Sequence, residues 1–190
     1  GCGARQGLQV VALHPMPANI EIKARIDSVD ALLPRAVALA DDDDHPQRIH
    51  QDDTFFVVPH GRLKLRVFAD GAAELIHYDR PDTAGPKRSD YLITPVADAD
   101  SLRDVLERAC GLSGRVIKQR TLVMVGQTRI HLDRVQGLGD FLELEVVLQP
   151  GQSEAEGEAI ARDVLAALGV ADSALIQGAY LDLLGATQPG

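Results

Sequence analysis

In the segment Ala18-Asn-Ile-Glu-Ile-Lys-Ala-Arg-Ile26, apolar and polar or charged residues alternate without a break. Side chains two apart on a strand share a face, so Ile20, Ile22, Ala24 and Ile26 point one way and Asn19, Glu21, Lys23 and Arg25 the other. The division recurs far along the chain. Arg62, Lys64 and Arg66 alternate with Leu63, Leu65 and Val67; Lys118 and Arg120 are in phase; Arg129, His131 and Asp133 share a face. Phe141, Glu143, Glu145 and Val147 oppose Leu142, Leu144, Val146 and Leu148, while Glu74 and Asp90 add carboxylates and Arg88 shares the phase of Asp90. A chain patterned this way folds as a sheet with one apolar and one charged face.

An open antiparallel sheet that packs on helices and wets its other side produces the same alternation with no site at all. Clustering of like charge argues for something more. Arg62, Lys64 and Arg66 stand in a row, as do Glu143 and Glu145, and each row repels itself unless counter-charges face it. Rolling the sheet with its charged face inward brings the rows together: the cations can bind a polyanion while the carboxylates hold a hard divalent metal on its oxygens. The chemistry implied is that of a metal-bound triphosphate.

Turn residues and length support closure. Strands are expected near 18–26, 51–58, 62–68, 72–79, 88–94, 115–125, 127–136 and 140–149, with Gly61, Gly71, Gly126 and Gly139 in short joints between several of them. Helices fill the longer gaps: Ser28 to Leu39, with Pro34 inside it; Ala99 to Cys110, ended by Gly111; and one opened by the capping box Ser153 and Glu156 and stopped at Gly169. This is an α+β chain whose eight strands can close into an antiparallel barrel with helices outside. At 190 residues it suits one domain, expected over 18–184, with residues 1–17 read as a disordered leader and 185–190 as a flexible tail. The run Asp41 to Asp44 reads as an exposed loop, since it lacks the alternation and distal Glu of a calcium loop.

A net charge of −9 argues against general affinity for nucleic acid or anionic membranes, and no apolar run reaches the roughly 20 residues of a membrane helix. Two cysteines are too few for a disulfide framework, which fits a cytoplasmic protein. The histidines show no HExxH spacing.

Asn19-Ile-Glu-Ile-Lys23, Gly61-Arg-Leu-Lys-Leu-Arg66, Lys87-Arg-Ser-Asp-Tyr91, Lys118-Gln-Arg120, His131-Leu-Asp133 and Phe141-Leu-Glu-Leu-Glu145 occur in this order, followed by Gly178-Ala-Tyr-Leu-Asp-Leu-Leu184. Together they resemble the CYTH family, the triphosphate tunnel metalloenzymes, in its class IV adenylyl cyclase-like branch. The resemblance implies an eight-stranded tunnel acting on triphosphates with Mg²⁺ or Mn²⁺. It implies metal-organising roles for Glu21, Asp133, Glu143 and Glu145, and phosphate binding by Lys23, Lys64, Arg66, Lys118 and Arg120, with Arg25, Arg62, Lys87 and Arg88 as further candidates. Lys118, Arg120 and Glu21 are the expected catalytic set. The family motif on the first strand is Glu-x-Glu-x-Lys, and Asn19 stands where its first Glu would be, an amide that can offer oxygen to a metal but no charge. His131 reads as a hydrogen-bonding group in the tunnel, Asp53 as a buffer for the cations, and Tyr180 as packing a helix against the barrel mouth.

The branch resemblance favours conversion of ATP to cyclic AMP and pyrophosphate. Hydrolysis of tripolyphosphate, thiamine triphosphate or a nucleoside triphosphate is the alternative, and a non-catalytic nucleotide or polyphosphate sensor is the third reading. The expected partner is ATP or another triphosphate, with no nucleic acid or membrane and with a homodimer as a reasonable assembly.

Overall fold

The computed structural model describes residues 16–187. Its strands are β1 (Ala18–Arg25), β2 (Gln47–Phe56), β3 (Arg62–Phe68), β4 (Ala73–Asp79), β5 (Lys87–Val96), β6 (Leu112–Val125), β7 (Thr128–Val135) and β8 (Gly139–Val147). They form a closed antiparallel barrel in the order β1-β5-β4-β3-β2-β6-β7-β8, with β8 returning to β1. All eight expected strands are present. β2 begins at Gln47 rather than residue 51 and β6 at Leu112 rather than 115, because the two run side by side from Gln47↔Leu122 to Phe56↔Leu112. Pairing carries strand structure into polar ends that alternation alone does not mark. At Gly61, between β3 and its preceding strand, φ is +61° and a Cβ would lie 2.5 Å from the Tyr78 carbonyl oxygen, so glycine is required.

Four helices lie outside: α1 (Val29–Leu39), α2 (Ala99–Cys110), α3 (Glu154–Ala167) and α4 (Tyr180–Thr187). Ser28 caps α1 by accepting from Ala31 N, Asp98 caps α2 through Ser101 N, and α3 carries the expected Ser153–Glu156 capping box. Helix α1 continues through Pro34 and forgoes one ladder bond there, to the Asp30 carbonyl. Helix α4 continues through Thr187, into the segment expected to be a tail; the expected leader falls outside the described residues as far as residue 15.

The main apolar core lies between barrel and helices, not within the barrel. Ile20, Ile22 and Ala24 of β1, Ile130 and Leu132 of β7, and Leu142 and Leu144 of β8 are fully buried against Val29 and Ala36 of α1 and Ala161 and Leu165 of α3. A second cluster packs Leu102 and Leu106 of α2 over Phe56 and Leu65. A third fills one end of the barrel: Phe55, Val116, Val135 and Phe141 point inward from four strands and meet Tyr180 of α4, with Leu181 and Leu184 beside them. This plug closes one end. Asp41 and Asp44, in the exposed acidic loop, accept from the backbone N–H groups of Gly126 and Met124 and so tie that loop to the β6–β7 hairpin.

Among the described residues no helix is long and apolar enough to cross a membrane.

Candidate active site: a charged tunnel closed at one end

With the apolar faces turned out, the charged faces line a cavity of about 330 Å³. Each strand contributes in order from the plug towards the open end. From β1 come Lys23, Glu21 and Asn19; from β2 Asp53, Gln51 and Ile49; from β3 Lys64, Arg66 and Phe68; from β6 Lys118 and Arg120; and from β8 Glu143 and Glu145. His131 and Arg129 of β7, Ser89, Tyr91 and Ile93 of β5, and Glu74, Ile76 and Tyr78 of β4 with Arg80 just beyond it complete the wall. Lys23, Lys64 and Lys118 thus stand nearest the plug with Glu143 directly across β1–β8 from Lys23, Glu145 lies one step further out opposite Glu21, and Ile49, Phe68, Tyr91 and Ile93 share the outer end with Glu74 and Arg129.

Register sets the ion pairs. Asp53 lies opposite Arg66 across β2–β3 and accepts both Nε and Nη2 at 2.8 Å, while Lys64 and Lys118 approach the same carboxylate at 3.6 and 3.9 Å. Burial alone would push the Asp53 carboxyl up, but Arg66 and Lys64 hold it well below the usual carboxylate range. Arg120 and Asp133 repeat the arrangement across β6–β7, and the Tyr180 hydroxyl donates to the same carboxylate at 2.8 Å. Glu21 accepts from Arg80 at 2.7 Å.

Burial lowers the lysines. Lys23 falls to about 8, through desolvation and the neighbouring Arg80, partly offset by Glu143. Lys64 also falls to about 8, through desolvation and Arg66. Lys118 is driven well below its ordinary value by burial and by Arg120 and Arg66. Phosphate oxygens placed beside such lysines favour their charged form. Glu145 is pushed up to about 7 by burial and by the carboxylates of Glu21, across β1–β8, and Glu143, on the same strand, whereas burial of Glu143 is overcome by Arg120 and Lys23, which keep it ionised.

A family model described as the CYTH domain matches residues 17–180. The chain belongs to the CYTH family. Solved structures similar to this CYTH barrel include the PH1012 protein of Pyrococcus horikoshii OT3, at 22% identity and a TM-score of 0.77, covering 87% of this chain and 99% of that one. A candidate adenylate cyclase from Vibrio parahaemolyticus is similar at 19% identity and a TM-score of 0.72, covering 88% of this chain and 97% of that one. HpAC1 from Hippeastrum, a candidate adenylyl cyclase described as having a dominant triphosphatase activity, is similar at 14% identity and a TM-score of 0.64, covering 92% and 97%. No curated protein matches the chain.

Within the CYTH tunnel Lys23, Lys64, Arg66, Lys118, Arg120, Glu21, Glu143 and Glu145 converge as the sequence suggests. Four of the expected ligands are placed differently. Arg25 is exposed and stacks its guanidinium 5.0 Å from the Phe141 ring, and Arg62 pairs with Asp182 of α4 at 2.6 Å; the plug separates both from the cavity. Arg88 follows the outward phase of Ile20, its neighbour across β1–β5, and pairs with Asp90 and Glu154 on the outer surface. Asp133 is inside, but its two oxygens are taken by Arg120 and Tyr180, so it anchors the arginine where a metal ligand was expected. Lys87 is buried near the plugged end, with its Nζ donating to the Thr83 carbonyl at 2.7 Å.

Sequence reasoning missed Arg80, Tyr78 and Gln51. Arg80 is in phase with Glu74, Ile76 and Tyr78, so extending that alternation one step past β4 would have found it. The residues present fit a divalent cation: one ligand atom each from His131, Glu143 and Glu145 lie within 4.8 Å of one another, and the buried His131 Nδ1 and Asn19 Oδ1 have no hydrogen-bond partner.

Proposed function

We propose that the protein cyclises ATP to cyclic AMP and pyrophosphate in this tunnel, in the manner of a class IV adenylyl cyclase, in the cytoplasm. The observation that carries the reading is the gradient along the tunnel. The dead end is Phe141 and Tyr180, followed by Lys23, Lys64 and Lys118 with Glu143 beside Lys23, then by Glu145 one step further out, and finally by a mouth bearing Ile49, Phe68, Tyr91 and Ile93 beside Glu74 and Arg129. A nucleoside triphosphate entering tail first sets its terminal phosphates on the lysines and its base against the apolar mouth, so that the α-phosphorus and ribose lie beside the carboxylates.

In that pose the 3′-hydroxyl oxygen bonds to the α-phosphorus as the bond to the β-phosphate's bridging oxygen breaks, and the hydroxyl proton passes to solvent at the mouth. The departing pyrophosphate remains against Lys23, Lys64 and Lys118, whose charge stabilises what develops on it, and Arg66 and Arg120 fix its orientation. A divalent cation held at Glu143 and Glu145 would polarise the phosphoryl oxygens. Phosphoryl transfer needs little beyond this positioning and neutralisation.

Hydrolysis is the second reading, favoured by the likeness to HpAC1. Attack of water on the terminal phosphorus would release its proton near the dead end, where Asp53 and Asp133 are both bound by arginines and Glu143 stands between Arg120 and Lys23. Incubation of the protein with ATP and Mn²⁺ or Mg²⁺, followed by ion-exchange chromatography, tests the choice. Cyclic AMP with stoichiometric pyrophosphate is expected and is lost in the Lys118→Ala, Arg120→Ala double variant. Orthophosphate as the main product would replace cyclisation with hydrolysis, and tight ATP binding without turnover would leave only a sensor.

A further inference from the structure

Beside the tunnel carboxylates stands an imidazole to which the resemblance gives no metal-binding role. His131 is 4% exposed and lies directly across β7–β8 from Glu143. Its Nδ1 has no hydrogen-bond partner and stands 3.7 Å from Glu145 Oε1, too far for a hydrogen bond. On the other side of β8, Asn19 is also 4% exposed; its amide nitrogen donates to Glu145 Oε2 at 3.4 Å, and its Oδ1 is buried without a partner. Arg129 occupies the same Oε2 at 3.1 Å, so Glu145 keeps its other oxygen turned towards the imidazole. Two buried polar atoms on the strands flanking β8 are thus left without a hydrogen-bond partner beside Glu143 and Glu145. A native interior rarely leaves such atoms unpaired without an occupant.

We propose that His131 and Asn19 complete, with Glu143 and Glu145, a mixed nitrogen–oxygen site that takes Mn²⁺, or another first-row divalent ion that accepts imidazole, in preference to Mg²⁺. This deepens the tunnel reading above, since it specifies the cation which that reading needs. Mg²⁺ is hard, demands near-octahedral oxygen donors and gives up water reluctantly, whereas first-row transition ions bind imidazole readily. Replacing the family's first-strand Glu by Asn19 removes a full charge from the donor set, which weakens it most for the ion that depends most on anionic oxygen. His131 supplies in covalency what Asn19 withholds in charge.

The test is metal binding by the full chain without substrate. Mn²⁺ is titrated while free ion is followed by electron paramagnetic resonance, Mg²⁺ is measured by competition, and the bound Mn²⁺ is examined by electron spin echo modulation for ¹⁴N. Expected are a directly bound nitrogen and Mn²⁺ affinity about tenfold or more above that for Mg²⁺. His131→Gln should abolish the ¹⁴N signal and reduce the Mn²⁺ preference to within about threefold. Glu145→Gln should weaken Mn²⁺ but keep the nitrogen signal, which holds the inference to account should the His131 variant fail to fold. Absence of ¹⁴N coupling in the unmodified protein, its survival in His131→Gln, or equal affinity for the two ions overturns the proposal. A protein that binds Mn²⁺ through nitrogen yet makes no cyclic AMP refutes the cyclase reading alone.

Discussion

Arg120 and Asp133 face each other across β6–β7 and share two hydrogen bonds, Nε to Oδ1 at 2.7 Å and Nη2 to Oδ2 at 2.8 Å. Both side chains are almost wholly enclosed, so the pair is valuable chiefly because neither charge can be left alone. Asp133→Asn should therefore destabilise the fold by about 3–5 kcal/mol, towards the lower end because Glu143 stands 3.6 Å from Arg120 Nη2 and takes over part of the counter-charge. Urea unfolding measures this. A change below 1 kcal/mol, roughly that of an exposed pair, would show that Arg120 is not held by Asp133.

Lys64 and Lys23 carry the pH dependence. Each falls from 10.5 to about 8 on folding, so between those values the unfolded chain binds more protons and the stability of the free protein rises with pH. Triphosphate binding runs the opposite way. Phosphate oxygens restore both protons, so affinity should fall as pH climbs through about 8, and binding at pH 8 should take up protons from solvent. Calorimetry in two buffers of different ionisation enthalpy reads that uptake directly. Identical heats in the two buffers would mean the lysines are already charged in the free tunnel.

Alternation made the barrel legible, because Ile20, Ile22, Leu142 and Leu144 had to face apolar neighbours and their partners Glu21, Lys23, Glu143 and Glu145 had to face each other. Phase also fixed most of the site. What it could not supply was depth. Arg25 and Arg62 have the same phase as Lys23 and Lys64, yet the plug of Phe141, Tyr180 and α4 lies between them and the cavity. Nor could phase distinguish a carboxylate that is free from one already bound: Asp133 and Glu145 both point inward, but Arg120 and Tyr180 saturate one while Glu145 keeps an oxygen near His131. On β5, adjacent Lys87 and Arg88 cannot share a face, and only the register Ile20↔Arg88 decides which one turns out.

Gly157 reports on the helix that backs β1 of the tunnel wall. A Cβ there would lie 2.6 Å from both Ile20 Cγ1 and Leu148 Cδ2, so α3 rests on β1 with no room for a methyl group. Gly157→Ala should gain helix propensity yet destabilise the protein by about 1–3 kcal/mol, since overpacking against buried Ile20 outweighs it. A thermal melt decides the sign. An unchanged or higher midpoint would mean that α3 can lift from the barrel at little cost.

Tyr180 has two separable tasks at the dead end. Its hydroxyl donates to Asp133 at 2.8 Å, while its ring packs edge-on to Phe141 at 5.0 Å and lies 4.1 Å beneath Lys23 Nζ. Tyr180→Phe removes only the hydrogen bond to a charged acceptor, which should cost about 1.5–3 kcal/mol of stability and leave triphosphate affinity within about twofold. Tyr180→Ala removes the floor and the cation–π contact as well, and triphosphate affinity should fall about tenfold. The opened end should also admit a longer chain, so tetrapolyphosphate should compete with ATP more effectively in Tyr180→Ala than in the unmodified protein or Tyr180→Phe. Competition binding on the three proteins reads both effects, and an alanine variant that still discriminates against the longer chain would show that something other than Tyr180 sets the length of the tunnel.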